Sequence, residues 1–329
     1  MRLSHELQLA IEHETRKVER KQLVLASAQL TRQYQSADFA SPVINTAAQR
    51  AAYLAVRLPA TYAASRHVFS EILRLAPETR IGSMLDLGAG PGTALFAAAE
   101  VFPAIQQATL IESDPSLIDL GRSLAAQSPL PVVRNASWLR HDLRSGLSRN
   151  PHDVVVISYT LGELPASAAE ALVRQAWSCA QEFLVLIEPG TMRGFGVINA
   201  ARSTLIASGG HLLAPCPHAA ACPLAGSDHD WCHFAQRVER TSQHRQLKGG
   251  ELGYEDEKFS YVVAARKSAP RAKARILRHP RKLNGHVQLT LCGAHGVTSQ
   301  TITRSQKSSY KLARKAQWGD AWEGPEKDP

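Results

Sequence analysis

Apolar positions over the first eighty residues recur at helical spacing. Leu7, Leu9 and Ile11, then Leu23, Val24 and Leu25, stand among charged residues, and ASRHVFSEILRLAP places Val68, Phe69, Ile72, Leu73 and Leu75 on one stripe. Pro77 ends that helix, and Pro59 in RLPATYAA is expected to divide two helices. From residue 81 the rhythm changes. SMLDLG, ATLIESD, PVVRNASWL, DVVVISYT and EFLVLIEPG are predicted strands. TALFAAAEVF, PSLIDLGRSLAAQ, ASAAEALVRQAWSCA and GFGVINAARSTLIASGG are predicted helices between and after them. DVVVISYT is continuously apolar, as a strand buried on both faces must be. Such alternation specifies an α/β fold, a doubly wound parallel sheet with helices on both faces.

HLLAP and KFSYVVAAR are two further strand candidates, and the segment between them holds three cysteines. HVQLTLCG and TSQTITR alternate like short antiparallel strands. The expected division is a helical region over 1–80 and an α/β domain over 81–266, with a cysteine-rich insertion at 211–250. A basic β-rich lobe over 267–319 and a flexible tail over 320–329 complete it.

Charge changes this picture most in the lobe. The 329 residues carry a net +9, yet Lys258 to Gly319 hold fourteen Lys or Arg and no Asp or Glu. Subtracting those fourteen from 38 leaves 24 basic against 29 acidic residues elsewhere, a net −5. A long stretch without acids lacks local ion-pair partners, so a polyanion is the natural neighbour, and nucleic acid is the expected one. No apolar run is long enough to span a bilayer, so no membrane role is expected. The opening MRLSHELQLAIEHETRKVERKQ has no apolar signal core, and Glu6, Glu12 and Glu14 argue against a transit peptide. The chain is expected to be a cytoplasmic monomer, or to sit in a mitochondrion-like matrix after loss of a presequence. Five cysteines without a secretory signal favour metal or cluster ligation over disulfides.

The run Asp86-Leu87-Gly88-Ala89-Gly90-Pro91-Gly92-Thr93 follows a strand and opens a helix. Its glycines allow a sharp turn and close approach of a ligand. Thr93 stands where a dinucleotide fingerprint has its third glycine, and Pro91 removes an N–H that would cradle pyrophosphate. With Asp86 before the loop, these features favour S-adenosylmethionine (SAM) over NAD. Glu112, at the end of the second strand, can accept from both ribose hydroxyls, and Asp142 in RHDL could reach the adenine amino group. After the fourth strand stands Ser158-Tyr159-Thr160-Leu161-Gly162-Glu163, in place of the Asn/Asp-Pro-Pro-aromatic motif of amino-group methyltransferases. Tyr159 and Glu163 are pocket-lining candidates, and Cys179 reads as a core residue. The sequence supports cofactor binding better than turnover, and no catalytic base can be named.

Cys216, Cys222 and Cys232 are spaced more widely than zinc-knuckle pairs, with Pro217 and Pro223 after two of them, and Cys292 lies in the basic stretch. Four thiolates at such spacing fit a bulky iron–sulfur centre. Zinc remains the alternative, bound by the four cysteines or with His218, His229 or His233 replacing one. Either centre would fasten the lobe to the domain. Arg237, Arg240, Arg245 and Lys248 follow at roughly helical spacing and are candidate phosphate contacts. Trp231, Phe234 and Tyr254 are candidate stacking rings. The acidic Tyr254–Glu257 stretch is expected to pair with Arg237 or Arg240.

RLPATYAA, LDLGAGPGT, IEPGT followed by GF, APCPH…CPL…WCHFAQR and YEDEKFSYV occur in that order. Together, over roughly residues 40–300, they resemble the Rsm22 family. The resemblance implies a class I SAM-dependent methyltransferase fold and a role in assembly of the small ribosomal subunit with binding to its rRNA. It also implies a 4Fe–4S cluster on the positions matching Cys216, Cys222, Cys232 and Cys292, and a cofactor loop at Gly88, Gly90 and Gly92. It leaves two roles open: methylation of rRNA, or a non-catalytic assembly factor that uses the fold as an RNA-binding platform.

Overall fold

The computed structural model describes residues 1–35, 44–148, 150–241, 244, 245, 247 and 252–324. Helices α1 (His5–Arg16), α2 (Arg20–Gln35), α3 (Ala47–Ala52) and α4 (Leu58–Leu75) lead the chain. Thr46 and Gln49 form a capping box at the start of α3, satisfying two backbone donors reciprocally. The break expected at Pro59 does not occur. A π-helical turn, Tyr53–Arg57, joins α3 to α4, and the Leu58 N–H reaches back to Tyr53 O. Pro59 then falls in the first turn of α4, where a missing N–H is tolerated.

Eight strands form the main sheet: β1 (Ser83–Leu87), β2 (Gln107–Glu112), β3 (Ser137–Arg140), β4 (His152–Ser158), β5 (Ala180–Pro189), β6 (His211–Ala214), β7 (Phe234–Glu239) and β8 (Tyr254–Ala265). Their order is β3-β2-β1-β4-β5-β8-β6, with β7 also on β8. β1 to β5 run parallel, and β8 is inserted antiparallel to β5. This is the class I methyltransferase arrangement. Helices α5 (Thr93–Val101), α6 (Pro115–Ala126), α7 (Pro131–Arg134), α8 (Ala166–Cys179) and α9 (Met192–Ala207) connect the strands. The expected third strand shrinks to Ser137–Arg140, because Pro131 starts the short helix α7.

Side chains alternate cleanly across the sheet. Val154, Val156, Phe183, Val185 and Ile187 pack with Leu58, Phe69 and Ile72 of α4 on one face. Val155, Ile157, Leu184 and Leu186 pack with Leu172 and Trp177 of α8 and Ile198 and Leu205 of α9 on the other. Cys179 is buried in this second cluster, as a core residue.

β6 and β7 follow one another along the same edge of β8, pairing with Val263–Ala265 and Tyr254–Phe259. Residues 215–233 are therefore an excursion between two pieces of edge strand. β7 replaces the helix face expected around Arg237 and Arg240. It pairs with the acidic start of β8, where Arg237 meets Asp256 and Arg240 meets Glu255.

A second, antiparallel sheet holds β9 (Ala274–Ile276), β10 (Arg281–Leu283), β11 (His286–Gly293), β12 (Gly296–Thr303) and β13 (Ala321–Trp322). Val287, Leu289, Leu291, Ile276 and Ile302 form its core, closed by Ala313 and Ala316 at the end of the helix Lys307–Lys315. The flexibility expected from residue 320 does not hold for residues 321 and 322, because β13 pairs with β9 and buries Trp322. Residues 325–329 of that expectation lie outside the described residues. Among the described residues, no helix is long and apolar enough to cross a membrane.

Candidate cofactor pocket and cysteine centre

A pocket of about 470 Å3 opens at the carboxyl ends of β1, β2, β4 and β5. Asp86, Gly88, Gly90, Glu112 and Asp142 all line it, as do Tyr159 and Glu163. Gly92 does not. It starts α5 at φ 81°, backed by Leu110 and Trp138. Gly88 turns the loop at φ 75°, and a Cβ there would sit 2.4 Å from Thr160 Oγ1, so glycine is required.

The two strand-end acids differ. Glu112 accepts from Gly90 N at 2.9 Å with one oxygen and from Ser113 N and Asp114 N at 2.7 and 2.9 Å with the other, bracing the glycine loop. Asp86 is 2 % exposed and its Oδ2 has no hydrogen-bond partner among the described residues. Burial, with the Glu112 charge adding, pushes its carboxyl up to about 7. Thr93 Oγ1, also on the pocket wall, is likewise unpartnered. Asp142 lies at the rim, where hydrogen bonds from Arg144 lower it to about 2.

Several lining residues lie outside the glycine loop and the strand-end acids. Tyr53 and Arg57 sit on the π turn and Thr61 on α4. Glu188, at the end of β5, accepts from Leu161 N at 2.8 Å; burial still pushes it up to about 8. Its place in IEPGT was the available clue. Tyr159 holds a left-handed φ of 59°, a costly conformation for a non-glycine residue. Its N–H donates to Ile187 O at 2.7 Å and its hydroxyl to Glu257 at 3.0 Å, while Arg57 lies 3.7 Å from the same carboxylate.

Cys216, Cys222, Cys232 and Cys292 line a second cavity. Its volume is about 30 Å3, more than the ~10–15 Å3 one water needs. Cys292 reaches it by alternation: Leu291 faces the lobe core, and its neighbour faces the other way. Burial, reinforced by the other thiols, pushes Cys232 well up and Cys292 to about 12. Two buried cations stand by. Arg202 on α9 donates to His218 O and Ala220 O at 3.0 and 2.7 Å, holding the excursion. Arg275 is the cross-strand neighbour of Cys292. His218 Nε2 is 3.8 Å from Cys292 Sγ. Among the described residues, no three His, Cys, Asp or Glu side chains are grouped closely enough to hold a single metal ion.

The rings expected to stack on bases are engaged within the protein. Phe234 is buried, and Trp231 stacks on His233 and donates to Gly190 O at 2.9 Å. Tyr254 lies under the Arg237 guanidinium, 3.9 Å from ring centre to carbon. Arg237 and Arg240 are spent on Asp256 and Glu255. Lys248 lies outside the described residues.

A family model described as mitochondrial small ribosomal subunit Rsm22 matches residues 47–323. The human "Ribosome assembly protein METTL17, mitochondrial" is 29% identical over 294 residues, covering 82% of this chain and 61% of that protein. The "Rsm22-cox11 tandem protein 2, mitochondrial" of Schizosaccharomyces pombe is 28% identical over 323 residues, covering 82% of this chain and 42% of that one. The chain thus spans less than two thirds of either relative. Magnesium protoporphyrin IX methyltransferase from Synechocystis PCC 6803, solved with bound SAM, aligns at a TM-score of 0.42 and 13% identity, over 73% of this chain and 90% of that one.

Proposed function

Because the chain belongs to the Rsm22 family, we propose that it is a SAM-binding protein acting in assembly of the small ribosomal subunit, where its acid-free lobe binds rRNA. The observation that carries the cofactor reading is the unpartnered, buried Asp86 carboxylate beside a glycine loop already braced by Glu112. A cationic amino group satisfies such a carboxylate, whereas a pyrophosphate would be repelled by it. Asp86 and the loop backbone would hold the amino-acid end, and Glu112 the ribose. When bound, SAM supplies an electrophilic methyl group.

The pocket and the cysteine cavity are mechanically continuous. Glu188 and Pro189 line the first, and Gly190 O accepts from Trp231, the neighbour of Cys232 in the second. We propose that the four thiols hold an iron–sulfur cluster that fixes the lobe relative to the pocket. Arg202 and Arg275, which line the cavity, would offset the charge of deprotonated thiols. Zinc on the same four thiols is the alternative centre, with bonds of about 2.3 Å to each sulfur. A cluster would supply covalent cross-links between two sheets, so its binding energy becomes folding energy.

A second reading has its own observation. Tyr159 lines the pocket after the fourth strand with its hydroxyl committed to Glu257, so it is not free to act on an acceptor. This favours a non-catalytic assembly factor that retains the pocket. Mass-spectrometric mapping of small-subunit rRNA in cells carrying Gly90→Arg separates the two. Loss of one methyl group with subunits still assembling supports catalysis. An unchanged map with assembly intact supports the platform. The relatives are named mitochondrial, which supports a mitochondrion-like matrix as the site of action and lends nothing to a cytoplasmic one.

A further inference from the structure

The lobe's positive charge is not uniform in its use. Arg275 and Arg278 both find acids, Glu71 and Asp230, but those acids belong to other parts of the chain. At the far end of the lobe no acid is paired with the cations among the described residues. There the turn between β10 and β11, the 3-10 turn Arg304–Gln306 and the helix Lys307–Lys315 enclose an open cleft of about 490 Å3. Lys282, Arg304 and Arg314 line it with Asn284 and Tyr310. The three cations have no acidic partner among the described residues, whereas the surface arginines Arg2, Arg16, Arg74, Arg144 and Arg174 each have one.

The cleft is built and not a chance meeting of long side chains. Arg304 N donates to Gly285 O at 2.9 Å, fastening the turn to the start of the helix. Thr303 and Gln306 form a capping box around it. Burial of Ser309 and Ala313 fixes the rotation of the helix, leaving Lys307, Lys311 and Arg314 on its exposed side. Tyr310 and Arg314, four residues apart, stand one above the other.

We propose that this cleft is the lobe's RNA grip, in which Lys282, Arg304 and Arg314 bind consecutive backbone phosphates. The inference rests on the RNA-binding reading above and names its surface. Guanidinium groups take phosphate oxygens in a fixed fork, and the Asn284 amide and Tyr310 hydroxyl add donors suited to phosphate or a ribose 2′-hydroxyl.

The test is a titration of the full-length chain with a small-subunit rRNA transcript at several salt concentrations. It compares wild type with Lys282→Gln/Arg304→Gln/Arg314→Gln and with a control, Arg20→Gln/Lys21→Gln/Arg80→Gln. Each lost phosphate contact should reduce the slope of log affinity against log salt by about 0.7–0.9. The cleft variant should therefore lose about 2 units of slope and bind at least ~10-fold more weakly near 100 mM salt, with the control unchanged. Lysine acylation read by mass spectrometry gives a second measurement on unmutated protein, in which bound RNA should shield Lys282 and Lys311 but not Lys21. RNA binding by wild type with an unchanged slope in the cleft variant, or with Lys282 still reactive, overturns the cleft and leaves the RNA reading standing. No salt-dependent RNA binding by wild type overturns both. Cleft-dependent binding to anionic lipid vesicles without RNA binding overturns the choice of partner.

Discussion

Arg275 Nη1 lies 2.8 Å from Glu71 Oε2, inside the protein, with the arginine 1 % exposed. The same guanidinium donates to Gly319 O at 2.8 Å and to Pro215 O at 3.0 Å. One side chain thus joins α4, the start of the cysteine excursion and the end of the lobe. Glu71→Ala leaves this buried cation without its counter-charge, which costs about 3 kcal/mol or more. Arg74→Gln removes only a half-exposed partner of Glu71, worth up to about 1 kcal/mol. Urea denaturation of the two variants should show that difference.

The same carboxylate sets an acid limit. Burial alone would raise it, but hydrogen bonds and charges from Arg74 and Arg275 outweigh burial and hold it at about 2, below the ordinary 4.5. Its folded value is depressed, so its stabilisation is complete above the unfolded value and is lost as pH falls from 4.5 towards 2. Between those limits the urea midpoint of wild type should fall more steeply than that of Glu71→Gln.

Asp86 gives the opposite kind of pH dependence. Burial, then the Glu112 charge, raises it to about 7, and only its ionised form attracts the cofactor's ammonium. SAM affinity measured by calorimetry should rise as pH increases through 7 in wild type. In Asp86→Asn it should be weaker and flat over the same range.

Cys292→Ser should loosen the lobe if the thiols share one centre. Limited proteolysis after residue 266 should accelerate while the α/β domain stays protected. Equal protection of lobe and domain in the variant would count against the tether.

Gly121 on α6 faces the Trp138 ring, and a Cβ there would stand 2.2 Å from it. Gly121→Ala should therefore destabilise by about 1–3 kcal/mol through overpacking, read as a lower melting temperature with the fold retained by circular dichroism.

Local chemistry made part of this legible in the sequence. The loop Asp86–Thr93 lies between a strand and a helix, so its glycines and both nearby acids could be read from adjacent residues, and the alternation of β11 could be read from HVQLTLCG. What lay hidden was settled by tertiary pairing. Arg237 and Arg240 sit at helical spacing, yet the acidic run at Tyr254–Glu257 draws Arg237 into a strand and pairs Glu255 with Arg240 just beyond its end. PVVRNASWL carries strand-forming valines, yet Pro131 pre-sets a helical turn. Tyr53 and Arg57 reach the pocket from a π turn that runs into α4 ahead of Pro59. The Arg275–Glu71 pair spans 204 positions, and no spacing rule points to it.

Binding of small-subunit rRNA is the function proposed for this chain. Ultraviolet crosslinking in living cells, followed by sequencing of RNA bound to the full-length protein, tests it most directly. Strong enrichment of small-subunit rRNA over an untagged control, reduced in the cleft variant, is the expected result. Crosslinked RNA that matches the untagged control in amount and identity would contradict it.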